Sequence, residues 1–409
     1  MNPNNDTPSI RFAGFTDAWG QRKLGEVAPL RGGYAFQSSH FKCEGIPIVK
    51  ISNILQNGEV GGDFDYYDEI SSDENVTLPD GAAVLAMSGA TTGKVSILSN
   101  KEKKKIYQNQ RVGYFSPCEN IAYSFIQTIT RSHLFTEQLK SVLVAGAQPN
   151  VSSKDIDNFE FYFPTSIFEQ SRIGAFLTEI DSLITLHQRK YDQLVNIKKS
   201  MLEKMFPKNG ELVPEVRFAG FTDAWEQREV GELLTERNEQ SPKSEDYPLM
   251  AFIAYEGVAP KGERYDRSSL VNDTENKLYK HTEKGDFIYS SNNLETGSIG
   301  LNNYGNACIS PVYSIFSCTE LSIPDFIGRR LCRKDFISEM VKWRQGVIYG
   351  QWRIHEDDFV KIKIEVPTVQ EQKKIGQLLL SLDTLTTLHQ RKLERLQNIK
   401  KACLEKMFV

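Results

Sequence analysis

Three short loops in the first half of the chain are rich in Gln, Asn, Arg and small polar residues. They read SGATTGK over 88–94, QNQR over 108–111 and GAQPNVS over 146–152. Gln and Asn can pair with adenine through two hydrogen bonds and Arg with guanine, so this composition suits the reading of base edges. It also suits ordinary turns, and both interpretations stay open. The candidates for DNA contact are Ser88, Thr91, Thr92, Lys94, Gln108, Asn109, Gln110, Arg111, Gln148 and Asn150.

The second half of the chain offers two comparable loops. They read YSSNNLETGS over 289–298 and IYGQWRI over 348–354, the latter at the place that GAQPNVS takes in the first half. The same two interpretations apply to them. The candidates here are Ser291, Asn292, Asn293, Thr296, Tyr349, Gln351, Trp352 and Arg353.

Net charge gives DNA binding no general support, because Lys and Arg total 49 against 53 Asp and Glu, a formal charge of −4. A DNA-binding protein of this composition must gather positive charge locally or take it from a partner. Two basic clusters are candidates, although such clusters are often only solvated faces. They are Lys101, Lys103, Lys104, Lys105 and Arg111 in the first half, and Arg329, Arg330, Arg333, Lys334, Lys342, Arg344 and Arg353 in the second.

No catalytic constellation stands out in the sequence. SGATTGKV falls one residue short of the glycine spacing of a phosphate loop, and Val95 stands where a magnesium-binding Ser or Thr belongs. No Asn-Pro-Pro-aromatic motif for amino-group methylation occurs, and the six cysteines form no CxxC pair. We therefore expect a binding protein without catalytic residues, metal or cofactor of its own.

The elements that must position these loops are duplicated. RFAGFTDAWGQR at 11–22 returns as RFAGFTDAWEQR at 217–228, and LHQRK with NIKK..LEKMF closes both halves, at Phe206 and at Phe408. The text between these matching ends is unrelated in the two halves. Surfaces that stay alike can serve the same partner or each other, whereas surfaces that differ must serve different ligands.

A heptad rhythm in each closing segment predicts a long helix with a narrow apolar seam, which a partner helix must cover. Polar residues interrupt both seams at the same places, which favours packing of the two helices on each other. The short linker between them favours the antiparallel over the parallel arrangement. The seam positions are Ile173, Phe176, Ile180, Leu183, His187, Leu194, Ile197 and Met201, and then Ile375, Leu378, Leu382, Leu385, His389, Leu396, Ile399 and Cys403.

The blocks between the duplicated segments mix short strand-like runs with turn signals, and we expect helices at 122–139 and 325–340. The predicted fold is α+β: two mixed α/β domains separated by two long repeated helices that pack as an antiparallel coiled coil, with pseudo-twofold symmetry. We call the duplicated opening segments and the two long helices together the frame. The predicted ranges are 1–165 and 217–367 for the domains with their frame segments, 166–206 and 368–409 for the helices, and 207–216 for the linker.

The duplicated opening RF.GFTD.W.QR, the proline followed closely by EQ..IG at 164–174 and 367–376, and the LHQRK..L..NIKK..LEKMF helix carry a family resemblance. Together they resemble the specificity subunit of Type I restriction-modification systems, over essentially the whole chain. The resemblance implies two target recognition domains, each reading one half of a bipartite, asymmetric site in double-stranded DNA.

The resemblance also implies partners. The paired helices would set the spacing and bind two methylation subunits, and two motor and nuclease subunits can then join. Methylation with S-adenosylmethionine would belong to the methylation subunit, in agreement with the motifs absent here. Replacing Arg353 or Gln351 with alanine is then expected to affect one half-site only.

Two other classes of function stay open at this point. A coiled-coil scaffold or adaptor that joins protein partners also fits the duplicated frame, although it would not require small polar loops. A stand-alone DNA enzyme is disfavoured by the missing catalytic constellation. The chain shows neither a membrane-span pattern nor a signal peptide, so we expect a cytoplasmic protein.

Overall fold

The computed structural model describes residues 7–143, 150–208, 210–260, 277–346 and 352–409. The chain divides into two units. Unit 1 comprises Met1–Arg189 and Gln390–Val409, and unit 2 comprises Lys190–His389. Within the described ranges, no helix is both long enough and apolar enough to cross a membrane.

The strands described in unit 1 are short. They are β1 (Gly20–Lys23), β2 (Leu30–Arg31), β3 (Ile46–Val49), β4 (Asp65–Tyr67), β5 (Ala83–Ala86), β6 (Val95–Ile97), β7 (Tyr107–Gln108), β8 (Val112–Phe115) and β9 (Glu160–Phe163). The helices are α1 (Leu24–Val27), α2 (Tyr123–Ile129), α3 (His133–Leu143), α4 (Ser153–Asp157) and the beginning of the long helix α5 (Ile167–Lys204), with 3-10 turns at Ser38–His40 and Ile51–Asn53.

An antiparallel four-stranded sheet of order β2-β8-β5-β6 forms the centre of unit 1. Its strand β5 is buried on both faces, which explains why AVLA is apolar at every position. Ala83 and Leu85 pack into a core with α2 and α5, whereas Val84 and Ala86 pack into a second core with β3 and β8. Two further sheets, β4-β3-β7 and β1-β9, complete the unit.

Unit 2 repeats this plan with unrelated residues. Its strands are β10 (Glu226–Glu229), β11 (Leu234–Glu236), β12 (Gln240–Ser241), β13 (Ala251–Ile253), β14 (Gly257–Ala259), β15 (Tyr279–Thr282), β16 (Phe287–Tyr289), β17 (Ile299–Leu301), β18 (Ala307–Ile309), β19 (Ser314–Cys318), β20 (Gln345–Gly346), β21 (Trp352–Arg353) and β22 (Lys363–Val366). Its helices are α6 (Val230–Leu233), α7 (Pro324–Leu331), α8 (Lys334–Lys342), α9 (Glu356–Phe359) and the long helix α10 (Val369–Lys406), whose end belongs to unit 1.

The central sheet of unit 2, β11-β19-β16-β17, is again antiparallel and four-stranded. Alternate residues of β16 again enter two cores, Phe287 and Tyr289 on one face and Ile288 on the other. The remaining sheets are β12-β15-β18, β13-β14, β10-β22 and β20-β21. The prediction of two α+β domains is confirmed.

Each helix predicted inside a domain is in fact two helices. The stretch 122–139 contains α2 and most of α3, and the break is stabilised by Ser132, whose hydroxyl accepts a hydrogen bond from the Phe135 N–H. The stretch 325–340 contains most of α7, which begins at Pro324, and most of α8, with extended backbone at Arg333 before α8.

The two long helices pack antiparallel, as predicted. In unit 1, Ile173 near the beginning of α5 shares a core with Phe408 after the end of α10, and two turns further along α5 the Asp181 carboxylate pairs with Lys400 at 2.6 Å. In unit 2 the corresponding pair is Asp383 with Lys198. An arginine from the domain joins each aspartate, Arg131 at 3.0 Å in unit 1 and Arg329 in unit 2.

The narrow heptad seam needs correction. Among its predicted positions Ile173, Ile180, Ile375 and Leu382 are buried, and Phe176, His187, Leu194, Met201, Leu378, His389, Leu396 and Cys403 are half-buried. Leu183, Ile197, Leu385 and Ile399 are 38–46% exposed, so they do not lie in a buried seam. Leu177, Leu379 and Leu393 are buried instead. Positions such as 173, 177 and 180 follow the broader i, i+4, i+7 stripe, because these helices also pack against their domains.

The duplicated frame residues make the same buried ion pair in both units. The Arg11 guanidinium donates to both carboxylate oxygens of Glu169, at 2.6 and 2.7 Å, and Arg217 donates likewise to Glu371, at 2.7 and 2.8 Å. Both carboxylates are buried, and the hydrogen bond to Glu371 raises the pKa of Arg217. Removing one partner from such a pair typically costs about 3–5 kcal/mol of stability.

The EQ..IG motif is explained by backbone contacts. The Gln170 side chain accepts a hydrogen bond from the Ala122 N–H and donates one to the Pro164 carbonyl, and Gln372 does the same with Ile323 and Pro367. A side chain on Gly174 would lie 2.5 Å from the carbonyl carbon of Ser124, so only glycine allows α5 to approach α2 this closely.

Candidate nucleic-acid interface

Backbone hydrogen bonds bring the polar loops of unit 1 together. The Met87 N–H donates to the Arg111 carbonyl at 3.0 Å, which joins the loop at 88–94 to the loop at 108–111. The Val151 N–H donates to the Met87 carbonyl at 3.0 Å and adds the segment that contains Asn150. These segments form the unit 1 loop cluster, which we define as 88–94, 109–111 and 150–152.

The side chains of the unit 1 loop cluster differ in their exposure and in the hydrogen bonds that they already make. Gln110, Arg111 and Asn150 are exposed, and Ser88, Thr91, Thr92, Lys94 and Asn109 are half-buried. The Thr92 hydroxyl donates to the Gly89 carbonyl at 2.6 Å, and Thr91 donates to the Ile51 carbonyl at 3.3 Å. The Asn109 side chain accepts a hydrogen bond from the Arg111 N–H. Gln148 lies outside the described residues.

Gln108 is a structural residue, and its prediction as a DNA contact is wrong. Its side chain is buried, and its amide group donates to the carbonyls of Arg31 at 2.8 Å and Val112 at 2.6 Å. A buried amide that is satisfied in this way has no donor left for a ligand. The sequence QNQR therefore divides into a buried first residue and exposed third and fourth residues.

The loop at 290–298 in unit 2 is likewise tied to a second segment. The Asn292 side chain accepts a hydrogen bond from the Trp352 N–H at 2.7 Å, and the Ser291 hydroxyl accepts one from the Ile354 N–H at 3.1 Å. These two side-chain oxygens hold the loop in place. Only the remaining hydrogen-bonding capacity of Asn292 and Ser291 can serve the predicted contact with base edges. We define the unit 2 loop cluster as 290–298 and 352–354.

Five candidates of the unit 2 loop cluster reach solvent, among them Asn292. Asn293 and Thr296 are exposed, the Trp352 side chain is 51% exposed, and that of Arg353 is 58% exposed. Arg353 lies 3.5 Å from Glu356, whose pKa is set by two opposing effects. Burial opposes its ionisation, but hydrogen bonds from Ser314 and the local backbone, together with the charge of Arg353, lower the pKa. Tyr349 and Gln351 lie outside the described residues.

Charge differs between the two loop clusters. The unit 1 loop cluster contains Lys94 and Arg111 and no Asp or Glu, and neither cation forms an ion pair with a residue that the structure describes. In the unit 2 loop cluster Glu295 pairs with Arg344 at 2.9 Å. The local accumulation of positive charge that phosphate contact requires is therefore clearer in unit 1.

Most residues of the predicted basic clusters are neutralised, which corrects that prediction. Lys105 pairs with Asp73 and Glu69, and hydrogen bonds to both raise its pKa. Further pairs are Lys104 with Glu102, Arg329 with Asp383, Arg330 with Asp335 and Glu365, Arg333 with Asp335, Lys342 with Glu339, and Arg344 with Glu295. Sequence neighbours alone could not show this, because several of the acids lie 30 or more residues away.

An exposed aromatic residue next to the unit 1 loop cluster, Tyr34, is not among the residues predicted from the sequence. Tyr34 is 46% exposed, and its backbone pairs with the chain at Gln108 and Gln110. The only signal in the sequence is its place after two glycines in RGGY, which is too common a pattern to single it out.

The chain matches the family of Type I restriction modification DNA specificity domains twice, over residues 16–196 and 222–398. The two matches together cover well over half of the chain. The chain belongs to this family. It is therefore a Type I restriction-modification specificity subunit with two target recognition domains, a DNA-recognition component and not a catalytic one.

Two known proteins are similar to this specificity subunit. It is 27% identical over 191 residues to the Type I restriction enzyme MjaVIII specificity subunit of Methanocaldococcus jannaschii, a match that covers 45% of this chain and 44% of that relative. The crystal structure of the Type-I restriction-modification system S subunit from M. genitalium superposes with a TM-score of 0.61 at 15% identity, over 98% of this chain and 99% of that one. At this identity the second similarity shows the fold alone.

We expect the neighbouring glutamines of QNQR to respond differently to substitution in this specificity subunit. Gln108→Ala removes the hydrogen bonds to the Arg31 and Val112 carbonyls and is expected to lower the free energy of unfolding by about 1–3 kcal/mol. Gln110→Ala removes an exposed side chain and is expected to stay within about 0.5 kcal/mol of the wild type. Urea unfolding of the full chain measures both, and equal losses would contradict the structural role of Gln108.

Proposed function

We propose that this specificity subunit reads a bipartite, asymmetric site in double-stranded DNA. Unit 1 reads one half through its loop cluster, and unit 2 reads the other half through its own. The two long helices set the spacing of the half-sites and bind two methylation subunits. The observation that carries the proposal is a contrast: the frame contacts are the same in both units, and the loop clusters differ.

The contrast is clearest at matching places of the two units. In both units an arginine of the opening segment, Arg11 or Arg217, pairs with a buried glutamate. In both units an aspartate of one long helix also pairs with a lysine of the other helix and with an arginine of the domain. At the corresponding loops, unit 1 presents Lys94, Gln110 and Arg111, whereas unit 2 presents Asn293, Trp352 and Arg353. Different donors and acceptors favour different base pairs, so the two half-sites should differ in sequence.

The exposed leucines and isoleucines of the long helices suit two copies of one partner. Three apolar residues of the first helix have identical counterparts in the second, and all of them are exposed. They are Leu183 (38%) with Leu385 (43%), Leu186 (48%) with Leu388 (44%), and Ile197 (46%) with Ile399 (38%). Leu183, Leu186 and Ile399 belong to unit 1, and Leu385, Leu388 and Ile197 belong to unit 2. Exposed apolar patches of this kind mark protein interfaces.

The partner would supply what the chain lacks. Adenine methylation with S-adenosylmethionine belongs in this proposal to the methylation subunit, and two motor and nuclease subunits complete the restriction form of the complex. With a net charge of −4, the chain also needs the methylation subunits to hold much of the phosphate backbone.

We expect two arginines to affect different half-sites. The chain and its methylation subunit would be produced in a host without methylation of its own, and methylated adenines would be mapped across the genome. The wild type should give a methylated motif that contains two blocks of defined bases, separated by positions where any base is allowed. Arg111→Ala should relax one block and Arg353→Ala the other, because a good arginine–guanine pair contributes about 1–3 kcal/mol of discrimination.

Lys101→Ala is the matched control, since Lys101 is exposed in unit 1 but lies outside the loop cluster. It should leave both blocks unchanged. If an arginine variant methylates too little DNA to map, binding of the assembled complex to duplexes with one block scrambled gives the same comparison. A change of the same block by both arginine variants, or of both blocks by either one, would refute the two-reader proposal.

We expect the exposed helix residues to determine how many methylation subunits bind. Leu385→Ser with Leu388→Ser removes apolar contacts from unit 2 only, so the mass of the complex should fall from two methylation subunits per chain to one. Leu380→Ser is the control, because Leu380 is 45% exposed on the same helix but its counterpart Thr178 is polar. Native mass spectrometry reads the stoichiometry, and retention of both subunits by the double variant would exclude this docking surface.

A further inference from the structure

Tyr34 is held at the edge of the unit 1 loop cluster by its backbone. Its N–H donates to the Gln108 carbonyl at 2.9 Å, and its carbonyl accepts from the Gln110 N–H at 2.8 Å. Asn109 and Gln110 are thus its immediate neighbours across the chain, and Arg111 follows them. Tyr34 therefore belongs to the surface on which two of the exposed candidates lie.

A glycine makes this position available. A side chain on Gly33 would lie 2.3 Å from the carbonyl oxygen of Gln108 and 2.5 Å from that of Asn109, closer than any real contact. Only glycine allows the segment to run this close to the loop at 108–111. The local sequence RGGY thus serves to place the tyrosine against that loop.

The ring of Tyr34 is supported from one side and open on the other. It meets the ring of Phe36 edge-on, with centroids 4.9 Å apart, and Phe36 stacks on the buried Tyr107 at 5.5 Å. A ring fixed in this way loses little conformational freedom on binding. Tyr34 is nevertheless 46% exposed, and its hydroxyl makes no hydrogen bond with any residue that the structure describes.

The surroundings of this hydroxyl suit a polyanion. Neither the segment 32–37 nor the unit 1 loop cluster contains Asp or Glu, and Lys94 and Arg111 contribute positive charge. A phenol both donates and accepts, so it can match either kind of group on a base edge. An unpaired hydroxyl on a fixed ring, in a segment whose backbone pairs with the loop that carries the exposed Gln110 and Arg111, is suited to reading DNA.

We propose that Tyr34 is a specificity-determining residue, whose hydroxyl contacts base edges in the half-site that Gln110 and Arg111 read. This inference rests on the proposed function and adds a residue that neither the sequence pattern nor the family match identifies. The hydroxyl forms one more hydrogen bond to the correct half-site, and the ring keeps that hydroxyl in place.

The experiment uses the full chain assembled with its methylation subunits and measures equilibrium binding at one fixed salt concentration. Tyr34→Phe removes only the hydroxyl and keeps the ring, so folding is preserved. We expect it to weaken binding to the target duplex roughly two- to tenfold, as one lost hydrogen bond does. Tyr34→Ala should weaken it further. Both losses should vanish on a duplex whose unit 1 block, the one relaxed by Arg111→Ala, is already scrambled.

Tyr255→Ala is the matched control, because Tyr255 is an 82% exposed tyrosine of unit 2. It should leave discrimination at the unit 1 block unchanged. A Tyr34→Phe complex that binds the target as tightly as the wild type would overturn the inference, and so would an equal loss on target and scrambled duplexes. Failure of the wild-type complex to discriminate any bipartite target would instead refute the proposed function itself.

Discussion

The end of each long helix completes a core that the other half of the chain builds. Phe206, just after α5, packs on Trp225 and Phe326, with ring centroids 6.1 and 5.5 Å away, although α5 begins in unit 1. Phe408, after α10, packs on Trp19 and Phe125 at 6.4 and 5.4 Å, although α10 begins in unit 2. Removing a buried Phe typically costs about 3–5 kcal/mol. Neither core is complete from one continuous stretch of chain.

This exchange of helix ends explains why the frame is kept alike in the two halves. The aspartate of each unit receives one cation from the domain and one from the other helix, and at Asp383 these hydrogen bonds lower the pKa although burial opposes ionisation. Each domain contacts the frame in three ways. It supplies an arginine to the aspartate, an aromatic residue to the phenylalanine after the helix end, and a stretch of backbone that packs against Gly174 or Gly376. Its outward loops are free of these requirements, so they can differ between the two units.

Sequence predicted the part of this structure that repeats. The matching ends at Phe206 and Phe408 and the matching heptads indicated two helices that pack on each other, and the short linker indicated that they run antiparallel. The burial of single residues within a loop could not be predicted in the same way. Gln108 and Gln110 have the same side chain two residues apart, and only the strand β7 that holds Gln108 decides which of them is buried.

Ion pairs escaped prediction for a related reason. The text shows where lysines cluster, but Lys105 is neutralised by Asp73 and Glu69, more than 30 residues earlier in the chain. The four exposed seam positions were misplaced because a heptad presumes that only a helix covers the apolar face. Here the domains cover part of it, and the buried stripe shifts to Leu177 and Leu379.

Hydrogen–deuterium exchange on a chain that stops at residue 401 tests the exchange of helix ends most directly. The truncation removes Cys403, Leu404, Met407 and Phe408, all of which pack in the core of unit 1. We predict faster exchange in α2 and β1, near the start of the chain, with the protection of β16 in unit 2 unchanged. Unchanged protection of α2, or a loss confined to unit 2, would contradict the account.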